Sequence, residues 1–230
     1  MVQRRQAHNR GVLIMQPAQG KFVVLEGGEG SGKSSASDFL HNVLDENGIK
    51  HIITREPGGT PLGESIRALL LGGHSEKSVR TELLLFYAAR AEHVDKVIRP
   101  TLKNGVHVIC DRFDFSTYAY QVGGRNHPEF ADFCHHTNHF ATAGLIPDHY
   151  LIFDVIPEVG LSRAKSRGEG KDVFEKEQLS FHHRVREAFE DLAVKYTGKC
   201  SVIDANQPQK EVMGHVERIV MEILGGKIAA

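Results

Sequence analysis

The sequence contains no tryptophan, only three cysteines and no hydrophobic run long enough to cross a membrane. The cysteines, at positions 110, 134 and 200, are widely spaced and form no C-x-x-C pair. Their number and spacing argue against a disulfide framework or a zinc ribbon and are typical of a reducing cytosol. The longest apolar stretch near the N-terminus, residues 12–15, is too short for a signal peptide. We therefore expect a soluble, cytoplasmic protein that does not act at a membrane.

Neither sign of charge dominates the sequence. The 28 lysines and arginines nearly balance the 29 aspartates and glutamates, and the formal net charge is -1. This balance argues against a broad nucleic-acid-binding surface. A chain of 230 residues, 40% of them hydrophobic, can bury a core without disulfide bonds. Residues 1–20 carry three arginines without periodicity, so we expect a disordered extension there, or else a basic partner-binding arm, followed by a single domain over residues 21–226.

Short apolar runs alternate with segments of helical periodicity throughout that domain. Residues 22–25, F-V-V-L, form a continuous apolar run, as expected for a strand that is buried on both faces of a parallel sheet. The predicted strands are 22–25, 51–54, 106–110, 150–155 and 201–203. The predicted helices are 34–47, 61–71, 81–99, 128–142, 157–167, 175–196 and 208–224. The alternation predicts an α/β fold in which helices cover both faces of a doubly wound, parallel, five-stranded sheet.

A phosphate-binding loop follows the first predicted strand. Residues 27–34, G-G-E-G-S-G-K-S, match the pattern G-x-x-x-x-G-K-[ST] between a strand and a helix. In such a loop the backbone N–H groups converge on phosphate oxygens, and the helix N-terminus adds positive potential. Lys33 would reach the β- and γ-phosphates of ATP, and the hydroxyl of Ser34 would bind Mg²⁺. The predicted ATP-binding residues are Gly27, Gly28, Glu29, Gly30, Ser31, Gly32, Lys33, Ser34 and Ser35.

Two further segments follow the next predicted strands. Residues 54–60, T-R-E-P-G-G-T, come after the second strand, and residues 111–113, D-R-F, come after the third. Since the carboxyl ends of parallel strands meet at one edge of a sheet, these segments and the phosphate loop should line one crevice. Asp111 is placed to bind or orient Mg²⁺, with a turn or helix cap as its alternative role. Arg112 and Arg67 would neutralise a second phosphate, or else form surface ion pairs.

The helix predicted over 81–99 carries an aromatic and a basic residue one turn apart. Phe86 and Arg90 are at i and i+4 and share a face. A ring beside a guanidinium group suits a nucleobase, which would stack on the ring and accept hydrogen bonds at a carbonyl edge. Taken alone, Phe86 is more typical of a hydrophobic core.

Together with the phosphate loop, the segments T-R-E-P-G-G-T and D-R-F and a basic segment over 161–168, L-S-R-A-K-S-R-G, make the sequence resemble bacterial thymidylate kinases. The resemblance extends over about residues 21–224. It implies a homodimer that uses Mg²⁺ and transfers the γ-phosphate of ATP to dTMP, giving dTDP and ADP in dTTP synthesis. The implied dTMP-binding residues are Glu56, Arg67, Phe86, Arg90, Arg112, Thr117, Tyr120 and Gln121.

The resemblance also assigns roles to these residues. Phe86 would stack on the thymine, and Arg90 would hydrogen-bond to it. Arg112 and Arg67 would hold the phosphate of dTMP. Tyr120 would lie near the sugar, where it would disfavour a 2′-hydroxyl.

Four more residues take roles from the same resemblance. Gln121 and Thr117 would lie near the base. Glu29, in the phosphate loop, matches a family carboxylate near the sugar of the acceptor and the metal ion. Glu56 would orient the site without touching the substrate.

The phosphate loop itself lacks a basic residue at its variable positions, 28–31. Phosphoryl transfer needs positive charge beyond Lys33 and the metal ion. Family members without such a residue carry a catalytic arginine in a lid, here over about 162–175, although a solvated helix face is the alternative for this segment. Val173 stands where many bacterial relatives have arginine. The predicted catalytic residues are Lys33, Arg112, Arg163, Arg167 and Glu29.

Other functions fit part of this pattern. The acceptor would be another nucleoside monophosphate or a deoxynucleoside in a related kinase. A P-loop ATP-dependent switch protein would need no acceptor, but it would leave Phe86, Arg90 and T-R-E-P-G-G-T without a role. A histidine cluster at 135, 136 and 139 has a spacing capable of holding zinc, yet it lacks further ligands, and we expect no metal there.

Overall fold

Five parallel strands form the centre of the fold. The computed structural model describes residues 19–72, 77–166 and 173–226 of the chain. The strands are β1 Phe22–Gly27, β2 His51–Arg55, β3 His107–Asp111, β4 His149–Asp154 and β5 Cys200–Asp204. They lie side by side in the order β2-β3-β1-β4-β5, so that β1 pairs with both β3 and β4. The prediction of a parallel five-stranded sheet is confirmed.

Helices cover both faces of this sheet. Their bounds are α1 Lys33–Glu46, α2 Pro61–Leu71, α3 Val79–His93, α4 Arg99–Lys103, α5 Asp114–Thr117, α6 Ala131–Ala141, α7 Pro157–Ser166, α8 Leu179–Lys195 and α9 Gln209–Leu224. Phe22 and Val24 of β1 pack with α4, α5 and α8 on one face. Val23 and Leu25 pack with α1 and α9 on the other. The sheet is doubly wound because its central strand is apolar on both sides.

The long helix predicted over 81–99 is differently bounded. The helix α3 starts earlier, after Ser78, whose hydroxyl accepts a hydrogen bond from the N–H of Thr81. A π-helical turn, Val94–Ile98, then leads directly into α4. The prediction that this helical segment ends at residue 99 is therefore wrong. Pro100 occupies the first turn of α4, where a missing N–H and a fixed φ angle are tolerated.

A helical segment that the sequence does not predict follows β3. The helix α5 continues as a π-helical turn over Tyr118–Gly124, and this turn packs along α8. Two glycines at its end hide the helical pattern. This unpredicted segment carries Thr117, Tyr120 and Gln121, three of the residues that the sequence predicts for the site.

The predicted lid is only partly within the described residues. Its first part belongs to α7, whereas residues 167–172, including Arg167, lie outside the described residues. The helix predicted from residue 175 starts at Leu179 instead. Phe174, buried against the core of the first face, lies in a turn that precedes this helix.

Gly20 packs against the end of α4. This residue, which the sequence assigns to the extension, is buried, and its N–H donates to the carbonyl oxygen of Leu102 at 2.9 Å. Of the predicted extension, residues 1–18 lie outside the described residues. Among the helices that the structure describes, none combines the length and the apolar character needed to cross a membrane.

Candidate active site

A cleft of about 240 Å³ opens where the carboxyl ends of β1 and β3 meet. This is the edge at which open α/β sheets bind ligands. The phosphate loop, the end of β3, the helix α3 and the π-helical turn after α5 form its walls. Predicted site residues that line the cleft are Glu29, Gly30, Ser31, Gly32, Lys33, Ser34, Ser35, Glu56, Arg67, Phe86, Arg90, Asp111, Arg112, Thr117, Tyr120 and Gln121. The fold therefore brings together residues that are separated by up to 92 positions in the sequence.

The phosphate loop fits tightly against α7. Gly30 has a φ angle of 65°, in the left-handed region. A Cβ atom at Gly30 would also overlap the carbonyl oxygen of Gly160. Glycine is thus required here both by the backbone and by the approach of α7. The loop ends at Lys33, the first residue of α1.

The ammonium group of Lys33 is folded back onto this loop. Its Nζ donates to the carbonyl oxygens of Gly27 at 3.0 Å and Gly28 at 2.9 Å, and to the Oγ of Ser31 at 3.1 Å. Burial, reinforced by the nearby Arg112, lowers the pKa of Lys33 to about 8. These neutral oxygens are weaker acceptors than phosphate oxygens, so the group is suited to exchange them for a bound nucleotide.

Arg112 joins the phosphate loop to the opposite wall. Its Nη2 lies 2.9 Å from Oε1 of Glu29, and its Nη1 donates to the Oγ of Ser116. The hydroxyl of Tyr120 donates to the same Glu29 oxygen at 2.6 Å. Burial alone would raise the pKa of Glu29, but Arg112 and Lys33 hold it below its usual value. Glu29 is therefore a carboxylate that fixes both side chains.

Arg90 forms the floor of the cleft and is only 1% exposed. Its Nε donates to Oε2 of Glu56 at 2.8 Å, and its Nη2 donates to the Oγ1 of Thr117 at 2.8 Å. A third hydrogen bond, from Nη1, reaches the side chain of Asn138 on α6. The guanidinium lies over the ring of Phe113, 4.8 Å from its centroid. These contacts fix a planar donor group without help from a ligand.

His93 and Thr54 lie behind Glu56, and neither was predicted as a site residue. Nδ1 of His93 lies 3.2 Å from the other oxygen of Glu56, and its Nε2 lies 2.7 Å from the hydroxyl of Thr54. His93 is completely buried. It follows Arg90 by three residues and thus shares its helix face, which is the one signal that would have found it.

An apolar wall stands beside the Arg90 floor. The ring centroids of Phe86 and Phe174 are 6.5 Å apart, and Phe174 meets Tyr120 edge to face at 5.3 Å. Gln121 is fully buried here. Within the described part of the chain its Oε1 has no hydrogen-bond partner, so it is free to accept a hydrogen bond from a ligand. Phe174, too, was not predicted as a site residue.

A second buried carboxylate, Glu26, supports the site from within β1. It accepts hydrogen bonds from the backbone N–H groups of Phe113 and Ser116 and from the Ser116 hydroxyl. Burial raises the pKa of Glu26 to about 7. Since Ser116 in turn contacts Arg112, Glu26 holds the turn after β3 in place. The strand pattern hid this residue, because it lies within a buried apolar run.

The predicted metal ligands fit a magnesium ion. Asp111 and Ser34 both line the cleft. Over the described residues, Oδ1 of Asp111 is buried and has no hydrogen-bond partner. Buried polar atoms without a partner are rare in proteins and point to a missing ligand. Carboxylate and hydroxyl oxygens are the donors that Mg²⁺ prefers.

The remaining predicted basic residues take different positions. Arg67 lines the cleft, and its Nη1 donates to the carbonyl oxygen of Pro57 at 3.0 Å. Arg163, on α7, points elsewhere: its Nη1 donates to the carbonyl oxygen of Ala205, after β5, at 2.7 Å. The described residues that line the cleft do not include Arg163.

A family model described as "Thymidylate kinase" matches residues 25–216, which include the phosphate loop and every residue that lines the cleft. The chain belongs to the thymidylate kinase family. A protein named thymidylate kinase from Magnetococcus marinus is 43% identical over 203 residues, covering 88% of this chain and 96% of that protein. Another of that name, from Pseudomonas syringae pv. tomato, is 44% identical over 208 residues, covering 89% and 97%. The family resemblance that the sequence motifs indicate is confirmed.

Proposed function

We propose that the protein is a thymidylate kinase, which transfers the γ-phosphoryl group of ATP to dTMP and releases dTDP and ADP. The observation that carries the proposal is the juxtaposition of a phosphate loop with a base-sized recess. Phe86 and Phe174 supply the apolar side of this recess, and the fixed guanidinium of Arg90 supplies donors. A pyrimidine with carbonyl groups at its edge matches both.

The donor nucleotide binds at the phosphate loop. Lys33 releases its loop carbonyls and contacts the β- and γ-phosphates, and the N-terminus of α1 adds positive potential. Ser34 and Asp111 are the residues that would hold Mg²⁺. When bound, the ion neutralises phosphate charge as the transferred group moves.

The acceptor phosphate binds between Arg112 and Arg67. The second pKa of a phosphate monoester is near 6, so dTMP is mostly a dianion at neutral pH and needs no general base. Catalysis then consists of alignment for in-line attack and of stabilising the charge of the transition state. Arg112 does both, since Glu29 and Ser116 fix its orientation.

The sugar of dTMP lies against Tyr120. The Tyr120 hydroxyl is held by Glu29 at 2.6 Å, so it cannot move away without breaking a short hydrogen bond. A 2′-hydroxyl would crowd this pair, which favours deoxynucleotides. Arg163 and Arg167 supply additional charge from the lid, and Arg163 leaves Ala205 to do so.

The active enzyme is a homodimer in the cytoplasm. The exposed side chains of Leu84 on α3 and Phe140 on α6, 58% and 85% accessible, support an apolar interface between subunits. The three free thiols suit a reducing compartment. Light scattering on the purified full-length chain tests the dimer directly.

The deciding experiment measures ADP release from ATP and Mg²⁺ with dTMP, dUMP, dCMP, dGMP, AMP and thymidine offered separately. We expect strong turnover with dTMP and weaker turnover with dUMP. The Lys33→Ala variant, purified in the same way, controls for contaminating kinases. Preference for another acceptor would keep the phosphoryl transfer and refute the base recess. ATP binding without turnover for any acceptor would favour a nucleotide-dependent switch instead.

A further inference from the structure

Two histidines and an aspartate converge at the end of α1 that is remote from the phosphate loop. His41 and Asp45 are one helical turn apart on α1, and His51 is the first residue of β2. Gly48, with a φ angle of 65°, allows the chain to turn back between these elements. The turn brings His51 against the exposed face of α1 that carries the other two side chains.

The potential ligand atoms of these side chains are close together. Nδ1 of His41 lies 3.0 Å from Nε2 of His51. One ring nitrogen from each histidine and one carboxylate oxygen of Asp45 all lie within 4.8 Å of one another. Over the described ranges of the chain, this is the one group of three or more histidine, cysteine or acidic side chains with such spacing. With metal–ligand bonds of about 2.0–2.2 Å, two ligand atoms of one tetrahedral ion lie about 3.3–3.6 Å apart, so small side-chain rotations would bring these three atoms to metal-binding distance.

The second nitrogen of His51 prepares the first for a metal. Nδ1 of His51 lies 2.8 Å from the carbonyl oxygen of Ile49, so Nδ1 carries the proton and donates it to that oxygen. Nε2 therefore holds a lone pair and accepts a hydrogen bond from Nδ1 of His41 at 3.0 Å, a proton that a bound metal ion would replace. Metal-binding histidines are fixed in this way by a hydrogen bond from their other nitrogen to a carbonyl or carboxylate. The His51 side chain is only 2% exposed, so its orientation is also held by packing.

We propose that His41, Asp45 and His51 form a binding site for a divalent transition-metal ion of the zinc class. Two imidazoles and one carboxylate suit Zn²⁺, Co²⁺ or Ni²⁺, whereas Mg²⁺ and Ca²⁺ prefer oxygen ligands only. His41 and Asp45 are exposed, which gives the ion a path from solvent and leaves a position for water. The ion would tie the end of α1 to the start of β2. It is separate from the magnesium ligands of the cleft and needs no nucleotide.

Calorimetric titration of the full-length, tag-free protein with ZnCl₂ tests this site. Excess MgCl₂ in the buffer keeps zinc from the carboxylates of the cleft. We expect one equivalent of zinc to bind to the wild-type protein. The His41→Ala and Asp45→Asn variants should each bind at least about tenfold more weakly, because each removes one of three ligands. Both positions are exposed, so neither change should disturb folding.

A double variant on α6, His135→Ala with His139→Ala, is the matched control. It removes another exposed histidine pair at i and i+4, and its zinc affinity should equal that of the wild type. In a second measurement, saturating zinc should raise the melting temperature of the wild type and of this control, but not that of His41→Ala. Absence of zinc binding by the wild type, or equal binding by His41→Ala, would overturn the proposal. Weaker binding by the α6 control would also overturn it, and would place the metal there.

Discussion

The two ends of the cleft hold positive charge in different ways. At the base-recess end, the buried Arg90 is paired with Glu56 over 2.8 Å. At the phosphate-loop end, the buried Lys33 donates only to carbonyl groups and to the hydroxyl of Ser31. Within the residues that the structure describes, no carboxylate oxygen lies within 4.0 Å of the Lys33 ammonium. Glu56 therefore neutralises the charge of Arg90, whereas the charge of Lys33 remains available to an anionic ligand.

The pKa values of these groups reflect this difference. Burial disfavours the charged form of both. At Arg90, the effect of burial is outweighed by Glu56 and other neighbours, and the pKa is raised. At Lys33, burial dominates and the pKa falls to about 8. The proposed base recess is therefore a preformed shape, whereas the proposed nucleotide site at the phosphate loop needs an anionic ligand to balance the charge of Lys33.

Glu56→Gln should cause the largest loss, because it leaves the charge of Arg90 buried without its partner. Removing one member of a buried ion pair costs about 3–5 kcal/mol in the free energy of unfolding. Urea unfolding followed by circular dichroism measures this cost. The control is Glu190→Gln, which breaks an exposed pair with Arg186 at 3.3 Å on α8 and should cost about 0–1 kcal/mol. Equal losses in the two variants would mean that the recess is not held by its ion pair.

Lys33→Ala should separate activity from stability. Removing one preorganised donor from the reacting group lowers kcat roughly a hundredfold to a thousandfold. Because no carboxylate is left unpaired, the free energy of unfolding should change little. Steady-state assays with dTMP and the same urea titration measure the two effects, and calorimetry should find the affinity for dTMP unchanged. A stability loss as large as that of Glu56→Gln would mean that Lys33, like Arg90, is needed to hold the fold together, and would contradict the difference proposed between the two ends.

Glu26→Gln should change how stability depends on pH. The pKa of Glu26 is raised from 4.5 to about 7 in the folded protein, so the folded state binds the proton more tightly than the unfolded state. The stability this proton provides is fully present below pH 4.5 and is lost as pH rises through about 7. Relative to the wild type, the glutamine variant should gain up to about 3 kcal/mol between pH 4.5 and pH 8. The measurement is urea unfolding of both proteins across this range. A difference that does not vary with pH would show that folding does not raise the pKa of Glu26.

The sequence predicts the sheet well because its strands are short apolar runs between glycines and polar turns. Each observed strand differs from its predicted bounds by at most two residues at either end. The helical segment from Asp114 to Gly124 was missed because packing against α8 stabilises it, and local pattern does not. Lys33 and Arg112 could be assigned to the site from the sequence because each lies in a short contiguous motif, the phosphate loop and D-R-F.

The supporting residues of the site were harder to predict. Asn138 meets Arg90 across 48 positions of the sequence, and Glu26 meets Ser116 across 90. Neither contact leaves a periodic or local signal, since each depends on how distant elements pack. The side chains that we propose to touch a substrate lie in short motifs or at helical spacing, whereas the side chains that hold them in place are brought there by the tertiary fold.

Arg163→Ala tests whether the phosphate-loop end of the cleft needs positive charge from the lid. In the structure the Arg163 guanidinium donates to the carbonyl oxygen of Ala205, and it must give up this bond to reach a phosphate. A hydrogen bond to a charged group contributes about 1.5–3 kcal/mol. Because Arg163 loses its bond to Ala205 when it contacts a phosphate, the net stabilisation lies near the lower end of this range. We therefore expect kcat to fall about tenfold, while Lys210→Ala, an exposed change on α9, leaves kcat unaltered. An unchanged kcat with a lower melting temperature would instead mean that Arg163 stabilises the packing of α7 against the end of β5 and has no role in catalysis. Lys33 and the bound metal would then supply the charge at this end together with Arg112, whose guanidinium the chain already holds between the two ends.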